Sequence, residues 1–97
     1  MILSLKITPS DLPEEEVRDA VDYALRAEAE QARVRRDYLQ RACLDFEAAH
    51  HMSSDEFMAR FEAGELGDEV EYLDWYAAKR GLDLWQHRYD VLGQVAW

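Results

Sequence analysis

The chain has 97 residues and 11.3 kDa, the length of one domain spanning 1–97, and it carries 21 acidic against 11 basic residues, a net charge of −10. A composition that is 48% hydrophobic and 33% charged excludes a disordered chain. Acidity of this order excludes a broad nucleic-acid-binding face, which needs a basic field. No apolar run approaches the ~18 residues of a membrane span, the opening Met1 to Lys6 lacks the basic segment of a secretory leader, and the single Cys43 cannot form an internal disulfide. These features together predict a cytoplasmic protein that meets no membrane. So short a chain buries a modest fraction of its surface, so a second subunit is expected to complete it.

In chain order, residues 2–8 alternate, with Leu3, Leu5 and Ile7 on one side and Ser4, Lys6 and Thr8 on the other, the pattern of a short strand or arm. A long helix is predicted over 12–50. Asp11 with Glu14 fits a capping box, Pro13 suits the first turn, and Glu14 to Glu16 favour the positive end of the helix dipole. Its apolar seam passes through Leu25, Ala32, Leu39 and Phe46 at heptad spacing. A rod this long cannot bury its seam alone, so Leu25, Ala32 and Leu39 are the expected self-association contacts of a homodimer.

A short helix follows over 53–64, capped by Ser53 with Glu56 three residues on, and Gly64 is the expected residue just past its end. Gly64 and Gly67 are expected to shape the turn. A third helix spans 68–92, opened by Asp68 with Glu71, unbroken at Gly81, with Val70, Leu73, Ala77, Leu84 and Val91 on one face. That stripe is the expected packed face, and the flanking Tyr72, Trp75, Tyr76, Trp85 and Tyr89 exceed what a three-helix monomer can bury. The predicted fold is therefore all-α, with the third helix antiparallel to the first.

Few residues suggest chemistry. Glu47-x-x-His50-His51 has a metal-like helical spacing but lacks the second such motif that a di-metal bundle needs. Glu62-x-x-Glu65 and Glu71-x-x-Asp74 resemble the magnesium carboxylates of helical nucleotide pyrophosphohydrolases, without the long insertion between the acidic pairs. Cys43 lies on the apolar seam, as a core thiol does. Neither a metal, a cofactor nor an enzymatic activity is expected. The basic stretch Arg33, Arg35, Arg36 and Arg41 is thin for nucleic acid and would suit the acidic half of a second rod.

Acidity concentrates in two blocks. Residues 11–30 hold eight acids and two bases, and residues 53–78 hold eight acids and one base. Inside the second block, Met52-Ser53-Ser54-Asp55-Glu56-Phe57 leads to Gly64-Glu65-Leu66-Gly67-Asp68 and then Tyr72 and Trp75. Over residues 52–92 this resembles a module of small acidic antitoxins from prokaryotic type II toxin–antitoxin systems. The resemblance implies a protein that neutralises a cognate toxin, a basic protein partner, by direct binding. The expected contacts are Glu62, Glu65, Asp68, Glu69, Glu71, Tyr72, Trp75 and Tyr76, with Trp75 as anchor, since aromatic residues dominate interface hot spots. The rival readings are a structural dimerisation subunit and a small metal-dependent nucleotide hydrolase.

Overall fold

A computed structural model describes residues 12–95. The expected strand over 2–8 and the capping residue Asp11 lie outside the described residues. Three helices are present: α1, Glu14–His50; α2, Ser54–Glu62; and α3, Val70–Gly93. The fold is all-α, with a long first helix. Among the described residues there is no strand, and no helix is long and apolar enough to cross a membrane.

α1 has 37 residues and α3 has 24, which at ~1.5 Å per residue are rods of about 55 and 36 Å. They run antiparallel. His50 meets Tyr72, Phe46 stacks on Trp75, Leu39 faces Gly81, and Arg36 lies over Tyr89. α3 ends near Asp22 and Leu25, where Leu92, Gly93 and Val95 line a shared groove. The first turns of α1 therefore extend beyond α3, and the described part is elongated, 61 × 22 × 19 Å.

The seam expected to hold two copies together is covered within the chain. Ala32 is fully buried, Leu39 is half-buried against Gly81, and Leu25 is half-buried beside Leu92. The cause is α3, which is long enough to lie over this stretch once the short turn after α2 reverses the chain. Within one chain, then, Leu25 and Leu39 of this seam already lie beside Leu92 and Gly81 of α3. Three arginines of the basic stretch are satisfied locally, while Arg35 lies over the Trp85 ring of α3. Arg33 pairs with Glu30 and Asp37, Arg36 with Asp37, and Arg41 with Asp45, all on α1. The hydrogen bond from Arg33 holds the Glu30 carboxyl below its ordinary pKa, and that from Arg36 does the same for Asp37.

α3 presents to the core the face that the sequence suggested was its flank. Trp75 and Ala78 are buried, with Tyr72, Tyr76, Leu82, Trp85 and Tyr89 half-buried around them. The aliphatic stripe points outward, with Val70 72% and Leu84 52% exposed. Large rings bury more area per residue than Val or Ala, and the small Ala32, Ala78 and Gly81 leave room for them. α3 is continuous through Gly81, where a Cβ would stand 2.9 Å from Leu39 Cδ1.

One expected cap differs: the residue preceding α3 is Glu69, with no side-chain cap, so Asp68 and Glu71 form no capping box, while the residue preceding α1 is Pro13. Ser53 does cap α2, accepting from the Glu56 N–H at 3.0 Å. α2 closes in a Schellman arrangement: the Glu65 N–H donates to the Arg60 carbonyl and the Gly64 N–H to the Phe61 carbonyl, with Gly64 at φ 74°. Gly67 has no positive φ, and open space surrounds its Cβ position. The turn therefore depends on Gly64 and not on Gly67.

Gly64→Val is expected to cost about 1 kcal/mol or more in denaturant unfolding, because a β-branched residue is strained at positive φ. Gly67→Val should leave the unfolding midpoint unchanged. Gly81→Leu should cost about 1–3 kcal/mol by overpacking against Leu39.

Candidate functional site

Where α1, α2 and α3 converge, one buried hydroxyl joins them. Ser54, the first residue of α2, is 4% exposed. Its Oγ donates to Glu47 Oε2 of α1 at 2.7 Å and accepts from Trp75 Nε1 of α3 at 2.9 Å. The Ser54 N–H also donates to Glu47 Oε2, at 3.0 Å. A carboxylate from another helix thus satisfies a free donor in the first turn of α2, where negative charge is favoured.

Trp75 is completely buried. Its ring is stacked on Phe57 at 4.0 Å between centroids and flanked by Phe46 at 5.6 Å and His50 at 5.2 Å. The side chain expected to anchor a partner is therefore the centre of the core. A buried indole must satisfy its N–H, and Ser54 meets that requirement. That need was the available signal for Ser54. Glu47 was legible only as part of a metal-like spacing, but its carboxylate is taken by Ser54. His50 packs against Trp75 and Tyr72, with Nε2 buried 3.1 Å from Glu71 Oε1 but not aligned for a hydrogen bond. Among the described residues no three His, Cys, Asp or Glu side chains converge as metal ligands would.

A cavity of about 150 Å³ adjoins this junction, lined in part by Cys43, Glu47, Ser54 and Lys79. Its ionic groups are already engaged. Lys79 pairs with Asp83 at 2.9 Å and with Asp55 at 3.3 Å. The hydrogen bond to Asp83 raises the Lys79 pKa, with Asp55 adding to it. Burial pushes the Cys43 thiol up, with the Ser54 hydroxyl and the Lys79 ammonium opposing. A thiol in this state is a core side chain, not a nucleophile.

The junction fixes the outer surface beside it. Between Arg60 and Lys79 the sequence holds six acids, Glu62, Glu65, Asp68, Glu69, Glu71 and Asp74, and no Lys or Arg. All six are exposed. Glu71 approaches His50, and among the described residues the other five have no ion-pair partner. Tyr72 and Tyr76 are half-buried on the α2 side, where Phe57 lies against Tyr72 and Phe61 against Tyr76. Of the expected contacts, then, the five acids share one exposed end of the molecule together with Asp74, the two tyrosines border it, and Trp75 lies beneath it.

No protein-family model, no curated protein and no solved structure matches the chain.

Trp75→Ala is expected to cost about 3–5 kcal/mol of stability by opening a core cavity. Ser54→Ala should cost about 1–3 kcal/mol, since it leaves the Trp75 N–H and part of the Glu47 carboxylate unsatisfied. Both are read from denaturant unfolding. The Cys43 thiol should resist a thiol-specific reagent at about pH 8 in the folded protein and react once guanidinium unfolds it. Both raised groups, Cys43 and Lys79, carry the same sign. The unfolded chain loses these protons first, so their contribution is intact below the unfolded pKa values of about 8.5 and 10.4 and is lost as pH rises through the folded ones. Melting temperature should accordingly fall above about pH 9.

Proposed function

We propose that the chain is a cytoplasmic interaction protein of the antitoxin kind, which neutralises a basic, toxin-like partner by direct binding at the acidic end formed by residues 62–74. The observation that carries this reading is the charge there: six exposed acids in thirteen residues with no Lys or Arg among them. Elsewhere many acids are neutralised locally, as in the pairs Glu14–Arg18, Asp22–Arg26 and Glu56–Arg60. An uncompensated acidic surface raises the encounter rate with a basic partner and penalises acidic ones. The likeness of residues 52–92 to antitoxin modules supports the same reading and supplies the class of partner.

The contact residues are Glu62, Glu65, Asp68 and Glu69, with Tyr72 and Tyr76 at the border. Trp75 acts from below, by holding the start of α3 against α2. The second reading, a structural dimerisation subunit, is favoured by the outward aliphatic stripe of α3 and is compatible with the first.

The test is co-expression with the product of the adjacent gene. That product alone should arrest growth, and this chain should restore it. Glu65→Lys with Glu69→Lys should leave the chain folded, with a melting temperature lowered by no more than a few degrees because Glu69 stands at the positive end of α3, and should weaken binding about tenfold or more, chiefly through slower association. Binding by the unaltered chain should also weaken as salt rises. A harmless neighbour, or full rescue by the doubly reversed variant, would overturn the proposal.

A further inference from the structure

The outward face of α3 carries an apolar stripe with nothing of the described chain upon it. The stripe is broken between Ala77 and Leu84 by Arg80, which turns aside over the Tyr76 ring, and between Leu84 and Val91 by Arg88. Val70, Leu73, Ala77, Leu84 and Val91 are all exposed. Val70, Ala77, Leu84 and Val91 are seven residues apart, so they lie on one side of the helix at the spacing of a two-helix seam. At ~1.5 Å per residue the seam is about 31 Å long. An open groove runs along its C-terminal half, where Glu28 of α1 stands beside Leu84, His87, Arg88 and Val91. Exposed apolar residues aligned along one helix face in this way are what an interface uses.

The charges beside the stripe name the occupant. Asp74 flanks its N-terminal half, and His87 and Arg88 flank its C-terminal half. All three are exposed, and among the described residues neither Asp74 nor Arg88 has an ion-pair partner. The four heptad positions are also symmetric about the peptide joining Arg80 and Gly81. Turning a second α3 end for end about that point sets Val70 against Val91 of the other copy and Ala77 against its Leu84. The same turn brings Asp74 beside the other copy's His87 and Arg88. A parallel pairing would set Asp74 against Asp74 and Arg88 against Arg88. We infer that the protein is an antiparallel homodimer joined along the outer stripe of α3, with Asp74 and Arg88 of opposite copies paired at each end of the seam. The net charge of −10 on each copy opposes association at low ionic strength. At physiological salt, screening beyond about 8 Å leaves the short-range contacts to decide.

This interface shares Asp74 with the acidic end that the proposed function uses but leaves Glu62, Glu65, Asp68 and Glu69 outside it, and its test needs no toxin. Sedimentation equilibrium of the full chain at micromolar concentration should give twice the 11.3 kDa mass of one copy. Leu84→Glu, at an exposed position, should raise the dimer dissociation constant about a hundredfold, since two leucines leave the seam. Asp74→Arg alone and Arg88→Asp alone should each weaken the dimer several-fold, and the two together in one chain should restore it. That restoration is specific to the antiparallel arrangement. Circular dichroism shows whether Leu84→Glu remains folded; should it unfold, the charge exchange decides alone. A single 11.3 kDa species at all concentrations would overturn the inference, as would a dimer indifferent to Leu84→Glu. Failure of the charge exchange to restore association would overturn the antiparallel pairing.

Discussion

The fold depends on one hydroxyl. α2 is only nine residues long, too short to be stable in isolation, and the reversal from α1 to α3 passes through it. Ser54 fixes it at its first residue to both neighbours, giving its Oγ proton and its N–H to Glu47 and accepting the Trp75 N–H. Each partner solves a problem for another. The buried indole needs an acceptor, the start of α2 needs a negative charge, and the Glu47 carboxylate needs donors. With the polar edge of Trp75 satisfied, its faces are free to stack on Phe57, Phe46 and His50. Such a network is costly when incomplete, so it specifies one arrangement of the three helices.

Helix existence and order were legible because the sequence states them locally. A stretch without Gly or Pro, the Ser53–Glu56 pair and Gly64 define where α1 and α2 run and stop, and these are short-range signals. The facing of α3 was not legible. Its period admits two inward faces, the aliphatic stripe and the aromatic one, and choosing between them depends on what α1 presents. Ala32 and Leu39 offer a shallow surface into which rings fit, with Gly81 permitting close approach. The same ambiguity explains Trp75. A tryptophan among acids reads as an exposed anchor until the buried Ser54, twenty-one residues earlier, is known to lie beneath it. The acidic candidates were legible because charge without a neighbouring base needs no tertiary information to be noticed.

The partition of charge follows from helix geometry. On α1, acids and arginines recur at spacings of three and four, so Glu30, Asp37 and Asp45 find partners on their own helix. These exposed pairs add little stability, but they lower the field of the rod. Residues 62–74 have no base within reach in sequence, and the turn they form projects at the end of the molecule, away from the arginines of α1. The result is a long rod of mixed charge with one strongly acidic end.

The two surfaces are compatible because α3 separates them by direction. The acids of the turn lie at its N-terminal end and on the connection from α2, whereas the aliphatic stripe runs along its outer side. Antiparallel pairing about residues 80 and 81 engages Asp74 but leaves Glu62, Glu65, Asp68 and Glu69 open to a partner. It also sends the two acidic ends to opposite extremities, separated by roughly the 36 Å length of α3. Two partners could then be held without meeting each other, and their own like charges would not oppose the second binding event, since the separation exceeds several screening lengths at physiological salt.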